Sequence, residues 1–491
     1  MSVYAIAAIV SRIVSFASQI VLGRVLTEAQ FGVFAKAFGV TAATGCLRSG
    51  GVQQYLQTLP QDRFEREVGP YLMIATIAAT IGGGATLAAA FIAPAFYGLP
   101  EMRWPLVVLA ASVFLNAIAW VFRARLQSEM RFVTLAATDL ANMFMRAILA
   151  VSLAMLGGGA LALAVPIMAA TFVEFVVFGS RARMRREHWR TSRSELRAAW
   201  GVARWTLLWM IGSTVVFQGD YFAASFFVTE EALGVYYFTV SLCNQPNYVI
   251  ASAMLELVGP AVSRLNDAPE RRASAVMRLA RGIGVFLPLV AFVVPVLLPE
   301  LDRMVWRGKW AAAHWPAFLL SLDICFLSAT YLLYGAVNAI GAFRFAAVLE
   351  CIRAAGVVTG AALGGFLFGT PMGLAAMGCL VAGGTSAVIS SIILRQFGAH
   401  PVRGFLSVLV GPCIVAATMV PLRLGLDAIS GWSGADDLHR WRYGIEMAGA
   451  GVAYAIASIV LARTVFRSRI REAVAIMPAR IARVATLLVG T

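Results

Sequence analysis

Long apolar runs follow one another along almost the whole chain, separated by short turns that contain Gly, Pro or charged residues. Each run contains about 20–27 residues, enough for a helix to cross a ~30 Å hydrocarbon core. The pattern predicts an all-α polytopic membrane protein with about 14 spanning helices. The predicted spans are residues 3–26, 30–56, 70–97, 104–126, 132–156, 160–180, 200–227, 232–258, 281–299, 313–340, 345–367, 371–394, 404–424 and 443–463.

Composition supports this class. The 491 residues are 60% hydrophobic, with a mean hydropathy of +0.79, whereas soluble domains are about 45–50% apolar. The longest polar interval, 181–197, is too short to bury a core of its own. The net charge of +15 is better explained by cytoplasmic loops rich in Arg than by nucleic-acid binding.

Basic residues concentrate in the loops that follow the even-numbered spans and in the tail, so we expect both termini in the cytoplasm. The chain begins MSVYA without a basic segment or cleavage site, and we interpret this stretch as the first span rather than a signal peptide. The tail, residues 467–491, alternates apolar and Arg positions at helical spacing. It predicts an interfacial amphipathic helix, although a frayed tail fits equally well.

The first span carries a polar stripe. Ser11, Arg12, Ser15, Ser18 and Gln19 fall on one face of the helix. Such a stripe faces a protein interior or a water-filled cavity rather than lipid.

An internal repeat divides the chain. TEEALGVY at 229–236 echoes TEAQFGVF at 27–34 with an offset of 202, and FRF at 343–345 echoes MRF at 130–132. We therefore expect two pseudo-symmetric six-helix lobes, residues 1–199 and 200–400, followed by two further spans in 401–466 and the tail from 467.

Four arginines in the spans are candidates for substrate binding: Arg12, Arg48, Arg146 and Arg353. An unpaired charge at the bilayer centre costs about 2.5–3.5 kcal/mol, so each needs a partner or a polar cavity. Arg also binds phosphate oxygens bidentately, which suits a diphosphate headgroup. A structural alternative exists for two of them, because Asp139 shares a face with Arg146 and Glu350 lies three residues before Arg353.

Asp220 and Asp323 are candidates for ion or proton coupling. Asp220 fits a helix cap or an ion pair with the other lobe equally well. The sequence has no Walker A motif, and its His and Cys residues have no metal-ligand spacing, so we expect no cofactor, no metal and no enzymatic activity.

Five stretches, in this order along the chain, carry a family resemblance. They are VLGRVLT at 21–27 with FGVF at 31–34, FRARLQ at 122–127 with MRF at 130–132, Asp220 with LGVYY at 233–237, GPAVSRL at 259–265 and VWRGKW at 305–310. Together they resemble the Wzx-type polysaccharide transporters, the oligosaccharide flippases of the multidrug/oligosaccharidyl-lipid/polysaccharide superfamily. Glu28-Ala29 departs from the Pro-Glu usual there, and few residues precede the first span, which leaves open a missing upstream stretch.

The resemblance implies two lobes that work by alternating access in the bacterial inner membrane. It also implies transfer of an undecaprenyl-diphosphate-linked oligosaccharide, an O-antigen or exopolysaccharide repeat unit, to the periplasmic leaflet. Membrane lipids and other polysaccharide-assembly proteins are the further expected partners. Three alternatives stay open: a cation-coupled drug antiporter of the same superfamily, a membrane polysaccharide polymerase or ligase, and a non-transporting scaffold of an assembly complex.

Replacing Arg12 tests the polar stripe. We expect Arg12→Ala to abolish surface polysaccharide at normal expression, because the stripe would lose its only cation. Surface polysaccharide is measured in a deletion strain complemented with the variant. Undiminished polysaccharide would remove Arg12 from the substrate path.

Overall fold

The computed structural model describes residues 2–45, 56, 61–182, 184, 191–263, 269–339, 342–398, 400–431 and 440–474, with a few side chains within these ranges left aside. In this part of the chain every regular element is helical. The α-helices, numbered in chain order, are α1 Ser2–Val25, α2 Glu28–Thr44, α3 Gln61–Tyr97, α4 Arg103–Ser128, α5 Phe132–Met155, α6 Leu161–Ala182, α7 Arg193–Ala224, α8 Glu230–Ser263, α9 Pro269–Ala291, α10 Val293–Leu301, α11 His314–Ala339, α12 Phe343–Phe368, α13 Pro371–Met377, α14 Gly384–Gln396, α15 Pro401–Gly431, α16 Arg440–Thr464 and α17 Arg467–Val474.

The predicted all-α membrane class is confirmed. Within the described residues, ten helical segments are long and apolar enough to cross a membrane. They correspond to α3–α6, α9 joined to α10, α11, α12, α13 joined to α14, α15 and α16. The remaining predicted spans fall on α1, α2, α7 and α8. The total of fourteen stays a prediction.

The turn between α1 and α2 is built by its own side chains. The Gln30 amide donates to the Thr27 hydroxyl (3.2 Å), and the Thr27 amide donates to the Gln30 side-chain oxygen (3.0 Å). This reciprocal capping satisfies two backbone donors at the start of α2. Ser192 and Glu195 form the same arrangement at the start of α7.

The helices group into two compact units. The first comprises Met1–Phe238 with Phe343–Thr370, and the second comprises Thr239–Ala342 with Pro371–Thr491. The predicted lobe boundary after residue 199 falls inside the first unit, where α7 packs along α12 and α2. The lobes at 1–199 and 200–400, the segment 401–466 and the tail from 467 therefore stay predictions.

In the first unit α12 carries a buried ion pair. The Arg353 guanidinium contacts the Glu350 carboxylate at 2.6 Å, and both side chains have no exposed surface. Gly212 of α7 makes this packing close, because a Cβ there would lie 3.0 Å from the Glu350 side chain. The structure therefore contains the ion pair within one helix that the spacing of Glu350 and Arg353 offered as the structural alternative.

The second unit has its own buried charges. Arg423 is buried and contacts Glu300 at 2.6 Å. Its guanidinium also pairs with Asp427. Asp302 accepts hydrogen bonds from the Trp310 amide (3.1 Å) and contacts His314 (2.9 Å).

The start of the predicted tail helix packs on protein. α17 contacts α9 and α16, and Phe466 and Ile470 are buried. Residues 475–491 lie outside the described part of the chain, so the predicted lipid contact of the remaining tail stays a prediction.

The α12 pair makes a stability prediction. We expect Glu350→Leu to lower the free energy of unfolding by about 3–5 kcal/mol, because it leaves Arg353 buried without its counter-charge. Glu350→Leu/Arg353→Leu is expected to recover most of this loss. Thermal unfolding in detergent measures both. Equal losses in the single and double variants would show that the buried charge is not the cause.

Candidate functional site

A polar cavity of about 400 Å³ lies between α4, α5 and α6 in the first unit. All three helices are membrane-spanning candidates, so the cavity lies at membrane depth. Its lining residues are Asn116, Trp120, Arg123, Arg146, Ile167, Ala170, Thr171 and Glu174.

An arginine fork borders the cavity. The Arg123 guanidinium donates to both oxygens of Asp139, at 2.8 and 2.7 Å. The same guanidinium lies 5.6 Å from the ring centre of Phe178. The shared-face pairing of Asp139 with Arg146 considered from the sequence does not form. Asp139 of α5 pairs instead with Arg123 of the neighbouring helix α4, and Arg146 is therefore left to face the cavity.

A second carboxylate is held by an amide. The Asn142 side chain donates to the Glu174 carboxylate (3.1 Å), and Asn142 is almost fully buried. The same amide donates to the Ala170 carbonyl (3.4 Å), which fixes its orientation.

Arg146 lies one turn after Asn142 on α5 and lines the cavity. Its side chain keeps accessible surface, and it forms no hydrogen bond or ion pair of its own with the residues that the structure describes. Glu174 lies within electrostatic range of it. A guanidinium at this depth that faces open space is suited to an anionic ligand.

The cavity places a cation and a carboxylate on one polar surface. Arg146 offers donors suited to phosphate oxygens, while the Glu174 carboxylate can accept from hydroxyl groups. The indole of Trp120 adds an apolar face next to these groups.

A second constellation in the same unit lies where α2 meets α8. A Cβ on Gly32 would lie 1.8 Å from the Glu230 carbonyl oxygen, and one on Gly234 would lie 1.9 Å from the Glu28 carbonyl oxygen. Only glycine permits so close a crossing of two backbones. Gly32 and Gly234, like Glu28 and Glu230, are equivalent positions of the internal repeat. The two copies of the repeat therefore meet each other.

An ion pair lies beside this crossing. The Lys36 ammonium is 3.4 Å from the Glu230 carboxylate, and the Lys36 side chain is only 7% exposed while Glu230 is 31% exposed. The ammonium also lies 5.4 Å from the ring centre of Tyr97. The repeat places Phe238 where Lys36 would recur, and Phe238 packs edge-on against Phe31. Lys36 thus has an aromatic residue, Phe238, as its equivalent on the other side of the crossing.

Asp220 lies near the C-terminal end of α7. It accepts a hydrogen bond from the Tyr236 hydroxyl at 3.0 Å, and Tyr236 also packs against Tyr221. Gly39 of α2 packs against the backbone of Tyr221 and Phe222. Asp220 therefore belongs to the α2–α7–α8 junction rather than to the cavity.

The other predicted site residues lie apart. Asp323 is a half-buried residue of α11 in the second unit, next to Gly383. Arg353 is enclosed with Glu350 inside the first unit. Arg12 lies on α1, but its side chain is outside the described part, as is the whole of Arg48. The roles assigned to these residues stay predictions.

Sequence reasoning missed three polar lining residues, Asn116, Arg123 and Glu174, and the buried Asn142 that donates to Glu174. Of these, only Arg123 belongs to a motif that the sequence analysis names, FRARLQ. A usable signal was the polar stripe of α5, since Asp139, Asn142 and Arg146 recur at helical spacing within an apolar helix.

Comparison of the fold with solved structures finds two informative neighbours. The lipid II flippase MurJ in an inward closed conformation aligns over 95% of this chain and 100% of its own, with a TM-score of 0.64 and 13% identity. A multidrug resistance MATE family transporter of the MOP superfamily, inward-facing, aligns over 85% of this chain and 98% of its own, with a TM-score of 0.51 and 16% identity. At these identities the likeness concerns the fold.

Sequence comparison identifies the family. The search against curated proteins finds no match. A family model described as polysaccharide biosynthesis protein matches residues 21–313, more than half of the chain. This range includes the matching segments at 27–34 and 229–236, the cavity and the α2–α8 crossing. The chain belongs to the polysaccharide biosynthesis protein family.

Proposed function

We propose that this protein is a flippase that moves an undecaprenyl-diphosphate-linked oligosaccharide, an O-antigen or exopolysaccharide repeat unit, from the cytoplasmic to the periplasmic leaflet of the bacterial inner membrane. The observation that carries the proposal is the polar cavity around Arg146 at membrane depth. Family membership and a fold similar to that of a lipid flippase support it.

The cavity matches the headgroup. Its volume of about 400 Å³ is in the range of sites for small organic ligands. We assign the diphosphate to Arg146, since that guanidinium is not already neutralised by a bidentate carboxylate as Arg123 is. Trp120 and Glu174 are assigned to the first sugar ring. The isoprenoid chain stays in the bilayer.

The α2–α8 crossing supplies a gate for alternating access. When the pathway is closed, α2 and α8 pack tightly at these glycines. No side chains interlock at the centre of the contact, so the two helices can separate there as rigid bodies. The Lys36–Glu230 ion pair stabilises the closed contact, and water can solvate both charges once the contact opens. We propose that this crossing closes one side of the pathway and opens during transport.

The main rival is a cation-coupled antiporter for drugs or small molecules. It would bind its cation at carboxylates such as Asp220 or Asp323, and it would not need Arg146. A polymerase or ligase would require reactive groups that the Arg146 cavity does not contain among its lining residues. Loss of transport on neutralising Arg146 separates the flippase from the antiporter.

The first experiment replaces Arg146. We expect Arg146→Ala to reduce transfer of the lipid-linked sugar about 10–100-fold, since a charge-assisted hydrogen bond contributes about 1.5–3 kcal/mol. The readout is accumulation of the lipid-linked intermediate on the cytoplasmic side of the membrane, in a deletion strain that carries the variant. Arg395→Ala, an exposed arginine at the end of α14, is the matched control.

Arg146→Lys separates charge from geometry. It keeps the charge but loses the planar fork, so we expect intermediate activity. Wild-type transfer by Arg146→Ala at normal expression would exclude the cavity as the headgroup site.

The second experiment tests the gate. We expect Lys36→Met/Glu230→Met to unfold at the same or a higher temperature than wild type, because a packed apolar pair can replace a buried ion pair at little cost. Transport is expected to fall about tenfold or more. Opening would now expose two apolar side chains to water instead of two charges that water solvates.

Arg63→Met/Glu67→Met is the matched control, because it removes an exposed ion pair of the same type at the start of α3. It should leave transport unchanged. A Lys36→Met/Glu230→Met variant that is stable and fully active would contradict the role of this pair in opening.

A further inference from the structure

A second cavity, unconnected with the one around Arg146, opens on the surface of the first unit between α3 and α7. Its volume is about 480 Å³. The lining residues are Ile74, Ile77, Ala78 and Ile81 of α3, and Arg193, Leu196, Arg197, Trp200 and Leu207 of α7. Apart from the two arginines, this lining is apolar.

Close packing of α7 against α3 and α4 forms the inner wall of the groove. Ala199 and Ala203 of α7 are buried against α3 and α4, so the two helices approach closely along that line. Trp200 then lies on the outer side, 47% exposed, and Ile77 and Ile81 are 43% and 55% exposed. The floor is therefore protein, and the open side faces the region that the bilayer occupies.

The length of the groove matches one leaflet. Arg197 and Leu207 are ten residues apart on one helix, which corresponds to about 15 Å. Half of a hydrocarbon core is about 15 Å thick. Trp200 lies one turn inside Arg197, at the depth where tryptophan is enriched at membrane–water interfaces.

The charge at the polar end of the groove has no ion-pair partner among the described residues. Arg193 and Arg197 are exposed, and neither forms an ion pair or hydrogen bond with another residue of the described chain. Being four residues apart, they point the same way and repel each other. Such a pair is stabilised by an anion held between the two guanidinium groups.

Three acidic residues whose side chains the structure describes at the starts of α3 and α7 are already engaged. Glu65 contacts Arg125 at 2.5 Å, and Glu67 contacts Arg63 at 3.3 Å. Glu195 lies on the opposite face of α7 and accepts a hydrogen bond from the Ser192 amide at 2.8 Å. That backbone hydrogen bond, followed by one with the Ser192 side chain, lowers the pKa of the Glu195 carboxyl. The Glu195 carboxylate is therefore engaged in the N-terminal cap of α7.

We propose that this groove binds an anionic phospholipid of the surrounding leaflet, with the phosphate between Arg193 and Arg197 and one acyl chain along Ile74, Ile77, Ile81 and Leu207. The occupant is a resident lipid of the membrane rather than the transported molecule. The site would fasten the start of α7 to the membrane surface. Its existence does not depend on the proposed flippase activity.

Native mass spectrometry of the full-length protein tests the proposal. The protein is delipidated in detergent and then mixed with equal amounts of phosphatidylglycerol and phosphatidylcholine. We expect wild type to retain one phosphatidylglycerol in preference to phosphatidylcholine. Arg193→Ala/Arg197→Ala should weaken this retention about 30-fold, because each basic residue near the headgroup contributes about fivefold.

Two matched controls accompany this variant. Arg395→Ala/Arg403→Ala removes the same charge from two exposed arginines on either side of the α14–α15 turn, and it should retain phosphatidylglycerol as wild type does. Ile81→Trp fills the groove and should displace the lipid. Ile92→Trp, at a position of the same helix that is 67% exposed and outside the groove, should not.

The outcomes are decisive in both directions. Preference for phosphatidylglycerol that is lost in both Arg193→Ala/Arg197→Ala and Ile81→Trp, and in neither control, supports the site. Equal retention of the two lipids by wild type overturns it. Loss in Ile81→Trp alone also overturns it, because the groove would then bind acyl chains without recognising a headgroup.

Discussion

A charge at membrane depth needs either a counter-charge or a polar cavity, and this constraint arranges the polar side chains of the first unit. Arg353 satisfies it with Glu350 inside a single helix. Arg123 satisfies it with Asp139 on the neighbouring helix. Arg146 differs, because it faces the cavity while Asn142 holds the nearby Glu174. The position of the candidate site follows from this difference. A guanidinium without a structural ion pair is the group that an anionic headgroup can bind.

The fold follows from the sequence to a large extent. Apolar runs of spanning length locate the helices, since no other backbone arrangement satisfies its hydrogen bonds in lipid without closing a barrel. Thr27 and Gln30 mark the start of α2 through chemistry that is readable from their spacing. The repeat is also visible, because Gly32 and Gly234 lie in matching segments. That these two segments touch is a tertiary fact. Periodicity along one helix carries no information about which other helix crosses it so closely that a Cβ on Gly32 would lie 1.8 Å from the Glu230 carbonyl oxygen.

The candidate site is less accessible to sequence reasoning for the same reason. Spacing on one helix correctly pairs Glu350 with Arg353, because three residues bring both side chains to one face. It misleads for Asp139, whose partner Arg123 comes from another span. Spacing accounts for only one of the two partners of Arg423, since Asp427 lies four residues along the same helix and Glu300 lies far away in sequence. Single-sequence patterns identify charges that need an explanation, whereas helix packing decides which of them remain available to a ligand.

The contact between Gly32 and Gly234 bears on how such a chain can arise. Gly32 lies against the carbonyl of Glu230, and Gly234 lies against the carbonyl of Glu28. Because Gly32 corresponds to Gly234 and Glu28 to Glu230 in the repeat, the contact is nearly self-complementary. An interface of that kind is what two identical subunits share across a twofold axis. A half-length ancestor with one copy of the segment would meet its twin through this surface. Within a single chain the two copies are free to differ, as Lys36 and Phe238 do at equivalent positions of this contact.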